Sequence, residues 1–262
     1  MRDPSAGFTL ATWNVNSLKA RGAHVLDWVR RANPTVLGLQ ELKMTAEEFP
    51  EEVFLDAGWL SYVHGQKAWN GVALLAADTL EDVTRGIPEH PEDPQARILS
   101  ARLGEVRLIC VYVPNGESVV SPKFQYKLNW LDGLARHLET SHDPQAPLAI
   151  FGDFNIAPAD ADVFDPEAFR GQVLFSDEEH RALQRLLDWG LVDLFRRFHP
   201  EPGQFSWWDY RQMAFRRNLG ARLDLILATE PLAARAVSCE IDREPRGWER
   251  PSDHTPVVAR FA

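Results

Sequence analysis

The chain has 262 residues, of which 45% are hydrophobic and 25% are charged. These proportions are ordinary for a globular protein and exclude disorder as the main state, because ample apolar surface is available to bury. The formal net charge of −10 argues against a protein that holds nucleic acid by bulk charge alone. It leaves open a metal-dependent enzyme with one local basic face.

Three further features bear on the location of the protein. No apolar run approaches the roughly 20 residues of a membrane span, and the N-terminus lacks a basic stretch followed by an apolar one. The two cysteines, Cys110 and Cys239, cannot form a disulfide framework and fit no zinc motif. We therefore expect a cytoplasmic protein with no secretory signal and no membrane contact. Since no oligomerisation signal is present, we expect a monomer.

The chain opens with a β-α-β pattern. Residues 9–15 are a short β-prone run, and residues 18–32 have apolar residues at helical spacing with Arg and Lys on the other face. Pro34 ends that helix, and residues 35–39 predict a fully buried strand. The acidic stretch at 47–56 is typical of a solvated helix face.

Short strand-like runs follow and predict an antiparallel meander. They cover residues 59–63, 71–76, 98–103 and 106–113, with a Pro- and Glu-rich loop at 87–95. A helical pattern spans residues 122–138, and a buried strand at 148–151 leads into Gly-Asp-Phe-Asn at 152–155.

The second half of the chain repeats this style. A helix is predicted to begin with Asp177 as its N-cap, and runs at 205–208, 223–228, 236–241 and 255–261 predict strands. No linker divides the chain. We therefore expect residues 1–262 to form one α/β domain, in which two sheets pack face to face and helices lie outside.

Polar residues recur at the ends of the predicted strands. They are Asn14, Asn16, Gln40, Glu41, Tyr112, Asn115, Asp153, Asn155, Asp224, Asp253 and His254. Each alone has an ordinary explanation, such as a turn, a cap or a core tyrosine. Because a rigid sheet can hold reacting groups at its strand ends, their repetition there favours a catalytic site.

The chemistry that suits these residues is phosphodiester hydrolysis. Glu41, with Asn16 or Asp253, offers the hard oxygen ligands that Mg²⁺ prefers, and the ion would neutralise phosphate charge. Asp153 is expected to orient or deprotonate the attacking water. Asn155 is expected to donate to a phosphate oxygen.

His254 requires a partner that fixes its tautomer. A strand-borne carboxylate such as Asp224 would hold the imidazole ring and favour its charged form. A charged imidazole beside a phosphate stabilises the pentacovalent transition state.

Eight motifs in order resemble the exonuclease III family of apurinic/apyrimidinic endonucleases. They are TWNVNS at 12–17, LQELK at 39–43, WNGVA at 69–73, YVPNG at 112–116, GDFNIAP at 152–158, WWDYR at 207–211, RLD at 222–224 and SDHTP at 252–256. Each motif is unspecific alone, whereas eight in family order across almost the whole chain are very specific.

The resemblance implies a four-layer α/β sandwich of two mixed β-sheets, the deoxyribonuclease I-like fold of the endonuclease/exonuclease/phosphatase superfamily. It implies Mg²⁺- or Mn²⁺-dependent cleavage of double-stranded DNA 5′ to abasic sites, which leaves a 3′-hydroxyl. Many relatives also act at 3′ ends, as 3′→5′ exonucleases and 3′-phosphatases or phosphodiesterases.

The resemblance also assigns roles by matching position. On the metal side it implies Glu41 as the principal ligand, Asn16 and Asp253 nearby, and Asn14 in support. It implies phosphate contacts for Tyr112, Asn115 and Asn155, and water activation by Asp153. It also implies that Asp224 and His254 form a pair. Finally, it implies an abasic-sugar pocket lined by Trp207 and Leu223. Such an apolar pocket accepts a flipped deoxyribose but no base. Asn16 stands where some relatives have Asp, and residues 116–120 lack an Arg that some relatives insert near the DNA.

Basic residues cluster between the aromatic motif and Asp224. In residues 205–222, four arginines (Arg211, Arg216, Arg217 and Arg222) are offset only by Asp209, so the local charge is 4 − 1 = +3. Together with Lys19, Lys43, Lys67, Lys123 and Lys127, these arginines are expected to line a DNA-binding face, with Arg216, Arg217 and Arg222 contacting the substrate.

Two alternatives share part of this pattern. A phosphodiesterase or phosphatase acting on small molecules or phospholipids has the same Glu, Asp-x-Asn and Asp-His core, but residues 207–211 and 222–224 resemble the DNA-repair branch. A non-catalytic DNA-binding module on this scaffold would have no need for Glu41, Asp153, Asp224 and His254 together.

Overall fold

The computed structural model describes residues 7–88 and 93–262, so residues 1–6 and part of the loop expected at 87–95 lie outside it. The strands are β1 (Phe8–Asn14), β2 (Val36–Gln40), β3 (Leu60–His64), β4 (Val72–Ala76), β5 (Glu81–Arg85), β6 (Ile98–Leu103), β7 (Val106–Tyr112), β8 (Leu148–Asp153), β9 (Leu191–Asp193), β10 (Trp207–Trp208), β11 (Gly220–Ala221), β12 (Asp224–Thr229), β13 (Ala236–Ile241) and β14 (Val257–Phe261). The α-helices are α1 (Leu18–Ala32), α2 (Glu51–Asp56), α3 (Pro122–Ser141), α4 (Pro166–Phe169), α5 (Asp177–Asp188), α6 (Leu194–Phe198), α7 (Ala214–Arg217) and α8 (Glu230–Ala233). Short 3₁₀ turns cover Asp160–Asp162, Arg211–Met213 and Glu244–Gly247.

Two six-stranded mixed sheets carry the fold. In the first sheet the order is β13-β14-β1-β2-β4-β3, and β1 and β2 are parallel. In the second sheet the order is β5-β6-β7-β8-β12-β9, and β7 and β8 are parallel. The short strands β10 and β11 pair separately. The predicted pair of mixed sheets is thus confirmed, and the first strand of the chain pairs with the last.

Apolar clusters separate the layers. Leu10 and Leu74 of the first sheet meet Phe151 and Ile226 of the second in one buried cluster between the sheets. Burying a side chain of this size stabilises the fold by about 1.5–3 kcal/mol. The sheets approach closely at Gly38, where a Cβ atom would lie 2.5 Å from the Phe151 ring. Only glycine fits this position.

Helices cover the outer faces of both sheets. Trp28 of α1 packs with Trp13 behind the first sheet, and α3 and α5 supply Leu134 and Leu186 behind the second. The order is therefore helix, sheet, sheet, helix, which confirms the four-layer sandwich. No helix within the described residues is long and apolar enough to cross a membrane.

Most predicted elements are present, with ends shifted by at most three residues. Three differences have physical causes. The runs expected to form one meander are divided, because β3 pairs with β4 in the first sheet whereas β6 pairs with β7 in the second. The N-cap of α5 is Ser176 and not Asp177, because Ser176 and Glu179 form a reciprocal capping box. The short strands β5 and β9 were not predicted, since β5 is a largely exposed edge strand and β9 has three residues.

Candidate active site

Strand register brings the predicted catalytic residues to one place. Because β7 and β8 are parallel, Tyr112 lies opposite Asp153. Because β12 runs antiparallel on the other side of β8, Asp224 also lies opposite Asp153. In the facing sheet, the parallel strands β1 and β2 end together at Asn14 and Gln40. The carboxyl ends of β1, β2, β7 and β8 therefore form one cleft.

Asn14 connects the two sheets across this cleft. Its side-chain Nδ2 donates to Oε1 of Glu41 at 2.8 Å and to Oδ2 of Asp153 at 2.8 Å. Its Oδ1 accepts the backbone N–H of Asn16 at 2.9 Å. Since Asn14 is fully buried, these bonds fix two carboxylates relative to each other. The position of Asn14 agrees with the supporting role that the resemblance implies.

Glu41 is the centre of the predicted metal side. Its Oε1 accepts the Tyr112 hydroxyl at 3.0 Å, and its Oε2 lies 3.0 Å from Nζ of Lys43. The same ammonium donates to Oδ1 of Asn16 at 2.6 Å. A cation is thus already favoured between Glu41 and Asn16, which is the charge and donor set that a hard divalent ion requires.

Three residues of this region have left-handed backbone. Asn16, Glu41 and Lys43 have φ values of 45°, 54° and 55°. Asparagine tolerates this conformation readily, whereas glutamate and lysine rarely adopt it. The surrounding hydrogen bonds hold Glu41 in it, because its carbonyl accepts the N–H of Ser17 at 2.8 Å. Strain of this kind is concentrated at functional sites.

Tyr112 is a buried phenol directed at Glu41. Burial raises its pKa well above the ordinary value, and the carboxylates of Glu41 and Asp153 act in the same direction. The guanidinium of Arg97 lies 4.8 Å from the centre of the Tyr112 ring, and its Nη1 donates to the Tyr112 carbonyl at 3.1 Å. Tyr112 therefore stays protonated and keeps its hydroxyl as a donor.

His254 lies between two carboxylates. Its Nδ1 is 2.8 Å from Oδ2 of Asp224, and its Nε2 is 3.7 Å from Oδ2 of Asp153. Burial alone would lower the pKa of His254, but Asp224 and Asp153 outweigh this effect and raise it to about 10. The predicted pairing of Asp224 with His254 is confirmed, and the ring is an imidazolium at neutral pH.

Asp153 occupies the centre of the cleft. The close approach of β7 to β8 just before Asp153 requires Gly152, whose φ is +148° and whose missing Cβ would lie 1.9 Å from the carbonyl oxygen of Val111. Burial raises the pKa of Asp153 to about 7, and the charge of Asp224 adds to this effect. The imidazolium of His254 opposes it. A carboxyl group that titrates near neutrality is suited to accept a proton.

Asp253 joins the metal side to the aromatic motif. Its Oδ1 accepts Nδ2 of Asn16 at 2.9 Å, and its Oδ2 accepts the indole N–H of Trp207 at 3.0 Å. Burial would raise the pKa of Asp253, but the charge on His254 and these two hydrogen bonds lower it below its usual value. Asp253 is therefore an anion close to Asn16.

The two asparagines after β7 and β8 form an amide pair. Nδ2 of Asn115 donates to Oδ1 of Asn155 at 3.1 Å. Both amide hydrogens of Asn155 are engaged, by the carbonyl of Val113 at 3.0 Å and by Oδ2 of Asp153 at 3.3 Å. Asn155 therefore orients Asp153 here and has no free amide hydrogen for the phosphate contact that was predicted. Asn115 is exposed and keeps one amide hydrogen for a ligand.

Trp207 and Leu223 share one apolar cluster beside the cleft. Its buried members are Ala157, Val163, Leu174, Phe175, Ala221 and Leu223, and Phe169, Val173 and Trp207 pack against them. Trp207 is half-buried, and its bond to Asp253 connects this cluster to the metal side. The predicted pocket residues are thus adjacent to the predicted catalytic residues.

The basic residues divide into two groups, which corrects the prediction. Arg216 and Arg217 are exposed on α7, as a DNA contact requires. Arg222 is fully buried, with Nε 2.6 Å from Asp162 and Nη2 2.7 Å from Asp193. The predicted substrate contact of Arg222 is therefore wrong, because its guanidinium is consumed by two carboxylates inside the protein. Lys127 is also fully buried, as a partner of Glu179.

Sequence reasoning missed or misplaced three residues around the site. Lys43 was expected on the DNA face, but its ammonium lies at Glu41. Arg97 carries no motif signal, since an arginine at the start of a strand usually faces solvent. Glu179 had a signal, the Ser-x-x-Glu spacing of a capping box, which predicts a helix start but not a contact with Lys127.

Two groups of residues in this site have ligands for a cation. Asp153, Asp224 and His254 have candidate ligand atoms within 4.8 Å of one another. However, Nδ1 of His254 is held by Asp224 and the ring is charged, so it repels a cation. Glu41, supported by Asp253 and the amide oxygen of Asn16, fits Mg²⁺ better because Mg²⁺ needs only one or two carboxylates and retains waters.

Comparison with known proteins agrees with this geometry. Residues 11–254 match the model of the Endonuclease/Exonuclease/phosphatase family. The chain is 39% identical to exodeoxyribonuclease III of Haemophilus influenzae over 262 residues, which cover 95% of this chain and 98% of that protein.

Solved structures give the same result. The 3′ phosphatase NExo from Neisseria, bound to a product DNA hairpin, is 42% identical and superposes with a TM-score of 0.94 over 97% of this chain and 99% of that one. An AP endonuclease from Archaeoglobus fulgidus is 39% identical, with a TM-score of 0.94 and the same coverage of both chains.

Proposed function

The chain belongs to the Endonuclease/Exonuclease/phosphatase family, and on that premise we propose that it is a divalent-metal-dependent DNA-repair nuclease of the exodeoxyribonuclease III type. Its proposed reaction is hydrolysis of the phosphodiester bond 5′ to an abasic site in duplex DNA, together with 3′→5′ exonuclease and 3′-phosphatase or phosphodiesterase activity. We further propose that it acts as a monomer in the cytoplasm.

One observation carries this proposal: Asp153 lies in hydrogen-bond reach of Asn14 and within 3.7 Å of His254, at the meeting point of both sheets. Three relatives are named for the three proposed activities. One is an exodeoxyribonuclease III, one is a 3′ phosphatase bound to a DNA hairpin, and one is an AP endonuclease. A single site that serves all three substrates must recognise a phosphate beside a sugar and must not require a base.

Asp153 is the proposed general base. Its Oδ2 is oriented by Asn14 and Asn155, and its pKa near 7 lets it take a proton from water at neutral pH. The water oxygen then forms a bond to phosphorus, and the bond from phosphorus to the 3′ oxygen of the upstream nucleotide breaks. The products are a 3′-hydroxyl, which gains its proton from solvent, and a 5′-phosphate on the abasic residue.

His254 and Tyr112 are the proposed donors to the reacting phosphate. The imidazolium keeps its charge because Asp224 holds Nδ1, so Nε2 is available to a phosphoryl oxygen whose negative charge grows in the transition state. Tyr112 stays protonated, but its hydroxyl donates to Oε1 of Glu41 at 3.0 Å, so it would have to turn from Glu41 to a phosphate oxygen when substrate binds. Exposed Asn115 offers an amide hydrogen. His254 is buried and held by Asp224, so its Nε2 is already oriented before the substrate arrives.

Mg²⁺, with Mn²⁺ as an alternative, is the proposed cofactor, and it would supply Lewis-acid stabilisation of phosphate and leaving-group charge. Glu41 would be its principal ligand, with Asn16 and Asp253 beside it. Lys43 must then leave Oε2 of Glu41 or share it, because the ammonium and the metal require the same oxygen.

Specificity for abasic sites is proposed to come from the apolar cluster that contains Trp207 and Leu223. A deoxyribose without a base presents apolar edges and fits a small pocket, whereas a nucleotide with its base demands more space. Arg216 and Arg217 are proposed to contact the DNA backbone, which positions the duplex without reading its sequence.

The test is a substrate panel on one purified sample: an abasic duplex, a nick with a 3′-phosphate, a recessed 3′ end, a single strand, a phospholipid and an inositol phosphate. The proposal expects cleavage of the abasic duplex and release of phosphate from the nick, with Mg²⁺ and not with EDTA. Turnover of only the phospholipid or the inositol phosphate would favour the small-molecule alternative and contradict the proposal.

A further inference from the structure

A fully buried ion pair lies beneath the cleft, between helices α3 and α5. Lys127 of α3 and Glu179 of α5 are in direct contact, and neither side chain is exposed to solvent. Removing two charges from water costs several kcal/mol per ion unless geometry and further hydrogen bonds compensate. The other hydrogen bonds of Lys127 and Glu179 must therefore compensate part of this cost.

The ammonium of Lys127 uses its remaining donors on the catalytic loops. Nζ donates to the carbonyl of Asn155 at 2.6 Å and to the carbonyl of Asn115 at 3.2 Å. Together with the contact to Glu179, all three donors of the ammonium are satisfied. These two carbonyls belong to the asparagines whose side chains bond each other beside Asp153.

The carboxylate of Glu179 holds the wall of the apolar cluster. Its Oε1 accepts the backbone N–H of Leu174 at 3.0 Å, and its Oε2 accepts the N–H and the hydroxyl of Ser176 at 3.0 and 2.7 Å. Leu174 belongs to the cluster that contains Leu223 and Trp207. The carboxylate is therefore satisfied on both oxygens.

The ion pair thus holds one residue with left-handed backbone in each of the two segments that it contacts. Asn155 has a φ of 49°, and Leu174 has a φ of 76°, which is a rare conformation for a bulky residue. Lys127 bonds the carbonyl of the first, and Glu179 bonds the N–H of the second. A direct bond from the N–H of Ala157 to the carbonyl of Leu174, at 2.9 Å, links the two segments as well.

We propose that Lys127 and Glu179 are positioning residues for catalysis, which set the distance between the phosphate-side asparagines and the apolar pocket wall. This inference rests on the proposed function. Its physical basis is that a misplacement of about 1 Å at a reacting group costs on the order of 100-fold in rate. Because both side chains are fully buried, neither can contact DNA itself, so we expect the pair to affect the reacting geometry more than the initial contact with DNA.

The test is the double variant Lys127→Met/Glu179→Gln, which removes both charges and keeps a side chain at position 179 that fits a capping box. We expect kcat on the abasic duplex and on the 3′-phosphate nick to fall about 10- to 100-fold, with KM within about 3-fold of the wild-type value. The matched control is Leu138→Ala in the buried core of α3, which should lower Tm while leaving every hydrogen bond of Lys127 and Glu179 in place. At a temperature well below both Tm values, the control should keep kcat.

Each outcome bears on the inference. A folded double variant with wild-type kcat would overturn it, and so would an equal loss of kcat in the Leu138→Ala control, since the loss would then follow stability alone. If the double variant does not fold, Glu179→Gln alone is assayed. Both oxygens of Glu179 accept hydrogen bonds, so the amide nitrogen of glutamine would face another donor and break one of these contacts. Wild-type kcat in that variant would also overturn the inference. A wild-type protein without activity on any DNA substrate would instead remove the proposed function.

Discussion

The Nδ1 atom of His254 lies 2.8 Å from Oδ2 of Asp224, and the two residues are 4% and 0% exposed. This contact connects the turn that precedes β14 in the first sheet to the first residue of β12 in the other sheet. It keeps the imidazole charged and directs Nε2 toward Asp153. The mechanism proposed above depends on that charge.

The variant Asp224→Asn tests the dependence. The amide would keep the shape of the side chain but remove its charge, so the pKa of His254 should fall from about 10. We expect kcat to fall by about 100-fold or more, and the alkaline limb of the pH–rate profile to move to lower pH. Imidazole NMR of the metal-free protein reports the pKa directly. Asp188→Asn, which alters an exposed carboxylate on α5, is the control and should change neither quantity. An unchanged His254 pKa in Asp224→Asn would refute the assigned pairing.

The wild-type pH profile follows from two groups with opposite requirements. Asp153 must be ionised to accept a proton, so kcat should rise as the pH increases through its pKa near 7. His254 must be protonated, so kcat should fall as the pH increases through its pKa near 10. A cation bound at Glu41 favours the ionised form of Asp153, so rising Mg²⁺ should move the acidic limb to lower pH. An acidic limb that persists unchanged in Asp153→Asn would assign it to another group.

Metal binding is expected to depend on the charge of Glu41. Glu41→Gln keeps the bond lengths and the contact with Asn14 but removes the carboxylate, and we expect Mn²⁺ affinity to fall about 10-fold or more by calorimetry. Asn16→Asp should act in the opposite direction, because it adds a second carboxylate beside Asp253. Glu48→Gln, which alters an exposed acid in the same loop, serves as the control. Equal Mn²⁺ affinity in wild type and Glu41→Gln would place the metal elsewhere, with Asp153 and Asp224 as the next ligands to test.

The arginines of residues 205–222 should separate into two classes by experiment. Charge reversal of Arg216 and Arg217 should leave Tm near the wild-type value, raise KM for duplex DNA and flatten its dependence on salt. Arg222→Met should instead lower stability, toward the lower end of about 3–5 kcal/mol, because Asp193 loses its guanidinium partner and Asp162 keeps only Arg196. Salt titrations of KM and thermal melts distinguish the two effects. A salt slope unchanged by the reversal would remove Arg216 and Arg217 from the DNA contact.

Much of the fold was predictable from local patterns. The helix at Leu18–Ala32 and the strand at Ala236–Ile241 were predicted with their observed bounds. Apolar periodicity and the following Pro34 define the helix locally. The division of the predicted meander between two sheets was not predictable in this way. Strand partners are selected by packing across the whole chain. The residues of short runs such as β3 and β6 do not indicate which sheet each strand will join.

In the site, too, positions set by neighbouring strands could be predicted, whereas contacts between distant parts of the chain could not. Strand-end positions correctly grouped Asn14, Asp153 and His254, because register places neighbouring strand ends together. The charge of a side chain did not indicate whether it is buried. Arg222 and Lys127 resemble exposed basic residues in the sequence, yet both are fully buried. Their carboxylate partners lie 29 to 60 residues away along the chain, so only the folded structure identifies them.

The most direct test of the proposed nuclease activity is incision of a duplex that carries one abasic-site analogue, measured for the wild type and for Asp153→Asn. We expect cleavage 5′ to the analogue by the wild type in Mg²⁺, none in EDTA, and a kcat lower by orders of magnitude in Asp153→Asn with DNA affinity nearly unchanged. Incision that survives EDTA, or Asp153→Asn cleaving at the wild-type rate, would contradict this expectation.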